Sequence, residues 1–146
     1  MITVEKHDDL FIGGRWTPSD SSAVIDVVNP ATEEVWASVP DASAADVDAA
    51  VRAADAAFAG WRELGAPARA AIVLRFADEL AALGERMSFV ITSENGSPVA
   101  ETAAAASHSA GILRYYACLA ETVDAVDVRP FPTAPGSYTQ VSREAI

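Results

Sequence analysis

The sequence predicts an α/β chain built in two stages, with short β pairs first and helices after. Two changes of pattern carry that prediction. Up to Pro40 the apolar residues alternate with a period of two, and beyond Ser43 they recur at helical spacing. A third observation, strand-like alternation returning after Ser137, adds one terminal strand. The expected inventory is two β-hairpin-like strand pairs, three helices and that strand, which do not make a closed sheet.

Leu10-Phe11-Ile12 and Arg15-Trp16 flank Gly13-Gly14, a pair able to supply the positive φ values of a two-residue hairpin turn. A polar stretch from Pro18 to Ser22 separates this pair from the strand Val24 to Val28. Asn29-Pro30-Ala31-Thr32-Glu33 has turn chemistry, with proline presetting φ. Val35 to Val39 then returns as a strand and stops at Pro40.

Ser43 and Asp46 resemble a capping box, with Asp in place of the longer Glu, ahead of the first helix. Val47, Val51, Ala54, Phe58 and Trp61 form its apolar stripe, while Asp48, Arg52 and Asp55 lie off it. A second helix is expected from near Pro67, which suits a first helical turn, to Asn95-Gly96, where glycine accepts a left-handed cap. Ile72, Phe76, Leu80, Leu83, Met87 and Val90 are its expected buried face. Ser97-Pro98 opens a third helix, which runs through Ala103–Ala106 to about Glu121. Gly111 within it marks an expected close packing contact. Asp127 to Gly136 reads as a proline-rich connector, and Ser137 to Ile146 as the last strand. A strand with no later partner looks cut off.

Composition narrows the function classes. A chain of 146 residues is one domain by length, and its 51% hydrophobic content is inflated by alanine, with three Trp, five Phe, three Tyr and two Met. The net charge of −11, with Lys6 the only lysine, argues against nucleic acid as a partner because no basic stripe exists to meet phosphates. No segment approaches membrane-spanning length and the N-terminus lacks the apolar core of a secretion signal, so a cytoplasmic protein is expected. Cys118 is the only cysteine, which rules out an internal disulfide and fits a reducing compartment. Its helix-flank setting has no histidine or lysine close in sequence to lower its pKa, so it reads as an ordinary thiol.

The usual catalytic and cofactor motifs are missing. His7 and His108 are far apart, with no carboxylates at metal-ligand spacing. There is no Gly-x-Gly-x-x-Gly, no phosphate loop and no nucleophile elbow. Asn95-Gly96-Ser97 matches the glycosylation pattern, but Pro98 and the lack of a secretion signal favour a helix cap.

Specific wording goes further than pattern. Phe11-Ile12-Gly13-Gly14-Arg15-Trp16, Val28-Asn29-Pro30-Ala31-Thr32, Val39-Pro40 and Asp46-Val47-Asp48-Ala49-Ala50-Val51 resemble the start of the aldehyde dehydrogenase superfamily. The likeness continues through Trp61, Arg69-Ala70, Glu94-Asn95-Gly96 with Pro98, and Leu113-Arg114-Tyr115-Tyr116-Ala117, to Arg143-Glu144-Ala145-Ile146. Their order and spacing give the resemblance its strength.

The resemblance implies roughly the first third of an NAD(P)-dependent oxidoreductase, as an incomplete Rossmann-type domain. Residues 1–126 would be the N-terminal periphery of the cofactor-binding domain. Residues 127–146 would be a linker and the start of the oligomerisation β arm. The family's glycine-rich cofactor turn, general-base glutamate, nucleophilic cysteine and oxyanion asparagine have no counterpart here, and Cys118 does not match the nucleophile's motif. NAD or NADP would therefore belong to the full-length parent, with no cofactor expected for this chain alone.

Two sets of site residues follow from the same resemblance. Val28, through its backbone carbonyl, and Glu94 match positions that hold a structural monovalent cation in several members. The plain alternative is a surface carboxylate near a turn. Ala105, His108 and Ser109 fall where relatives place a helix along the substrate entrance; the alternative is a solvent-exposed histidine. Glu33 stands where relatives commonly have glycine, Ser97 replaces a usual lysine and Ala145 a usual proline.

The function expected is that of an N-terminal aldehyde dehydrogenase fragment, inactive by itself, whose parent oxidises an aldehyde to a carboxylic acid. The alternative is a non-catalytic interaction or oligomerisation piece, because the stripes through Val47–Trp61 and Ile72–Val90 need a partner surface. That partner would be a second copy or a complementing aldehyde dehydrogenase segment, with neither nucleic acid nor membrane involved.

Overall fold

Glycine decides the first turn. In the computed structural model, which describes residues 8–124, 127–130 and 138–141, Gly13 and Gly14 take φ values of 61° and 80°. They join β1 (Leu10–Ile12) to β2 (Arg15–Thr17) as an antiparallel hairpin. Phe11 stands opposite Trp16, the two rings meeting edge to face at 5.2 Å.

The second pair, β3 (Val24–Asn29) and β4 (Glu34–Pro40), is also antiparallel. Its register runs Val27 to Ala37 and then Val28 to Val35, so Trp36 is the extra residue of a bulge. Its ring packs perpendicular to Phe89, with centroids 6.1 Å apart. Glu33, in the connecting turn, has a φ of 59°, a left-handed conformation that a residue with a Cβ adopts only at a cost of about 1–2 kcal/mol.

Helix α1 (Ala44–Glu63) begins at a complete capping box. Asp46 N–H donates to the Ser43 hydroxyl at 3.2 Å, and Ser43 N–H donates to the Asp46 carboxylate at 2.8 Å. Helix α2 (Ala66–Ala82) follows, with Pro67 in its first turn. Here the expectation of one helix from Pro67 to Asn95 needs correction. The helix breaks at Leu83, whose ψ of 6° leaves the helical range, and resumes as α3 (Gly84–Asn95). Leu83 N–H bonds to the Leu80 carbonyl, a tightened last turn that redirects the chain.

The third expected helix is likewise two. Helix α4 (Val99–Thr102) stops before Ala103-Ala104, and α5 runs from Ala105 to Asp124. The Thr102 hydroxyl is tied to Ser88 at 2.8 Å and to Thr92 at 2.9 Å. That ties α4 to α3 rather than letting it continue straight into α5.

The expected connector from Asp127 opens with a strand, β5 (Asp127–Pro130), which pairs antiparallel with β6 (Tyr138–Val141). The terminal strand therefore has a partner within the chain, contrary to expectation. The remainder of the expected connector and of the Ser137–Ile146 strand, including Arg143 and Ala145, lies outside the described residues, as do residues 1–7.

Helices α2 and α5 pack on each other, and alanine makes their contact. The buried apolar residues among those described are Ala66, Ala77, Ala106, Ala110 and Ala117. Small side chains let two helix backbones approach closely, and the Arg114 guanidinium adds a 2.7 Å ion pair to Asp78 at the rim. No large side chain among the described residues is fully buried.

The apolar stripes expected to be buried are mostly bare. Val47, Val51, Phe58 and Trp61 on α1 are all exposed, as are Ile72, Phe76 and Leu83, while Leu80, Met87 and Val90 are half-buried. With alanine filling the α2–α5 seam, no second layer of the described chain covers those stripes. Gly111 also differs from expectation. A Cβ built there meets nothing within 4 Å, because Gly111 lies on the exposed side of α5, away from Ala110 and Ala117.

Candidate functional site

Two segments distant in sequence meet at the β3–β4 turn. The Asn29 side chain accepts from Ala31 N–H at 2.9 Å, and the Asn29 carbonyl accepts from Glu33 N–H at 2.8 Å. At the end of α3, Gly96 takes a φ of 76° and donates its N–H to the Thr92 carbonyl. A Cβ on Gly96 would stand 2.9 Å from Pro30 Cγ, so turn and cap are in direct contact.

Val28 and Glu94, the residues expected to hold a monovalent cation, sit on the two segments joined in this way. Both are exposed. A backbone carbonyl and a carboxylate are hard oxygen donors of the right chemistry for such an ion. Among the described residues there is no group of three or more His, Cys, Asp or Glu that could hold a metal by side chains.

The helix α5 carries an open groove of about 710 Å³ lined by Ala104, Ser107, His108, Gly111, Ile112 and the Tyr115–Tyr116 pair. The two tyrosine rings meet edge to face at 5.3 Å. His108 therefore faces this groove. Ala105 and Ser109 are half-buried and do not line it. The helical period separates them: positions 104, 108, 111 and 115 share one face, and 105 and 109 turn toward the packed side. Cys118 is exposed and lies off the groove. The lining can hold an apolar or aromatic group; it includes Ser107 and His108, but the Ser107 hydroxyl donates to the Ala104 carbonyl at 3.0 Å rather than to the imidazole.

Two features escaped sequence reasoning. A second groove, of about 740 Å³, runs between α3 and α4 past Glu85, Phe89, Ser93 and Val99, with Ser88 and Thr92 also in its wall. The Ser88–Thr102–Thr92 hydroxyl chain, buried at Ser88 and Thr102, lies at this helix junction. Its only sequence signal is a pair of hydroxyl residues four apart on α3. The other feature is Asp46, whose capping role was legible but whose further partners were not. Its carboxylate accepts from the Ser19 hydroxyl at 2.7 Å and from Asp20 N–H at 3.3 Å, besides Ser43. The Ser19 hydrogen bond, then the Ser43 backbone bond, hold its pKa down at about 2. A carboxylate so occupied is a joint between the β2–β3 loop and α1, not an acid–base catalyst.

The family model described as the aldehyde dehydrogenase family matches residues 16–146. The chain belongs to the aldehyde dehydrogenase family. Geranial dehydrogenase of Castellaniella defragrans is 34% identical over 143 residues, covering 96% of this chain and 30% of that protein. Malonate-semialdehyde dehydrogenase 2 of Geobacillus thermodenitrificans is 45% identical over 86 residues, covering 59% of this chain and 18% of its own length.

The fold agrees. The structure of an NAD-dependent benzaldehyde dehydrogenase from Corynebacterium glutamicum is similar with a TM-score of 0.79 and 28% identity, over 96% of this chain and 30% of that one. A succinate-semialdehyde dehydrogenase from Burkholderia pseudomallei gives 0.77 and 37%, over 85% and 26%. This aldehyde dehydrogenase chain thus corresponds to the N-terminal part of an α/β fold and spans less than a third of the relatives it matches. No helix among its described residues is long and apolar enough to cross a membrane.

Proposed function

We propose that this chain is the N-terminal scaffold of an NAD(P)-dependent aldehyde dehydrogenase and that the 146 residues alone are catalytically inert. In the parent enzyme an aldehyde would add to a cysteine thiolate, pass a hydride to NAD(P)+ and leave as a carboxylic acid after hydrolysis. The observation that carries this reading is the family match over residues 16–146, by a chain that spans less than a third of the relatives it matches. Residues 1–126 then form the edge of the cofactor domain, and residues 127–146 the linker and first part of the oligomerisation arm. The cytoplasm is the proposed compartment, supported by a single unpaired cysteine.

Within that scaffold, Val28 and Glu94 are the proposed cation ligands, supported by the contact of their two segments at Pro30 and Gly96. The α5 wall carrying Ala105, His108 and Ser109 is the proposed entrance side, with His108 the member that faces open space. Purified chain incubated with aldehydes and NAD+ or NADP+ should show no turnover. Turnover that disappears in Cys118→Ser would overturn the reading.

A second reading rests on a different observation, the bare apolar surface. Val47, Val51, Phe58 and Trp61 are exposed along one stripe of α1, and a contiguous apolar face of that kind marks an interaction surface. Such a chain would act as a non-catalytic piece that associates with itself or with a complementing aldehyde dehydrogenase segment. Light scattering after size-exclusion chromatography separates the two, since a monomer with a cooperative melt contradicts association.

A further inference from the structure

We draw no further inference here: the strongest candidate, the unpartnered apolar face of α1 formed by Val47, Val51, Phe58 and Trp61, carries nothing beyond the association already proposed, because nothing in the structure shows what covers it.

Discussion

Gly96 and Pro30 touch so closely that a methyl group on Gly96 would come within 2.9 Å of the proline Cγ. The left-handed cap of α3 and the β3–β4 turn are therefore one structural joint. Gly96→Ala should cost about 1–2 kcal/mol from its φ of 76° alone, with more from the overlap. Chemical denaturation measures this. Combining it with Pro30→Ala should recover the steric part and leave the backbone part. Equal losses with and without Pro30 would disprove the contact.

Glu33 holds a φ of 59° without glycine's freedom. Glu33→Gly should raise stability by roughly 0.5–1 kcal/mol, the left-handed penalty less glycine's extra unfolded-state entropy. A lower denaturation midpoint for this variant would show that the turn carries no strain.

Asp46 makes the α1 cap dependent on pH. Its folded pKa, about 2, lies below the ordinary value of 3.8. Its stabilising effect is therefore complete above the ordinary value and is lost as pH falls through about 2. The melting temperature of the native chain should exceed that of Asp46→Asn near neutrality, and the gap should narrow between about pH 4 and pH 2. A gap independent of pH would mean that the charged form has no special role.

Thr102 links α4 to α3 through Ser88 and Thr92. Thr102→Val keeps the shape but removes the shared oxygen, at an expected cost of about 1–3 kcal/mol for stranded hydroxyls. Thr102→Ser should retain most of the stability. Hydrogen exchange across residues 99–103 should quicken in the valine variant only.

Val47 and Val51, on the α1 stripe, are each more than half exposed. Val51→Ser should therefore change stability by no more than about 0.5 kcal/mol. The same substitution should weaken any self-association detected by light scattering. A loss of several kcal/mol in a monomer would mean that the α1 stripe is covered within the chain.

Local chemistry explains which parts of the fold were legible. Gly13-Gly14, the Ser43–Asp46 box, Pro67 and Asn95-Gly96 each act through a backbone conformation or a hydrogen bond spanning four residues or fewer. Those devices work wherever the chain goes next. The breaks at Leu83 and Ala103 were not legible, because apolar periodicity continues through them and the bonds of Thr102 reach back 10 and 14 residues. The first strand of the last hairpin was hidden by the prolines of its connector. At the candidate site, the residue types at Val28, Glu94 and His108 could be read. The packing that turns His108 outward and Ala105 and Ser109 inward could not.

From residues alone came the first two hairpins, the Ser43–Asp46 and Gly96 caps and the family, because each resides in short stretches with specific spacing. Packing settled a different question, namely which surfaces are inside. Periodicity marks a helix face as apolar but does not say whether anything covers it. Here alanines close the α2–α5 seam, and the larger apolar side chains of α1 remain outside. Burial depends on a second surface arriving at the right distance, and that is a property of the assembled chain.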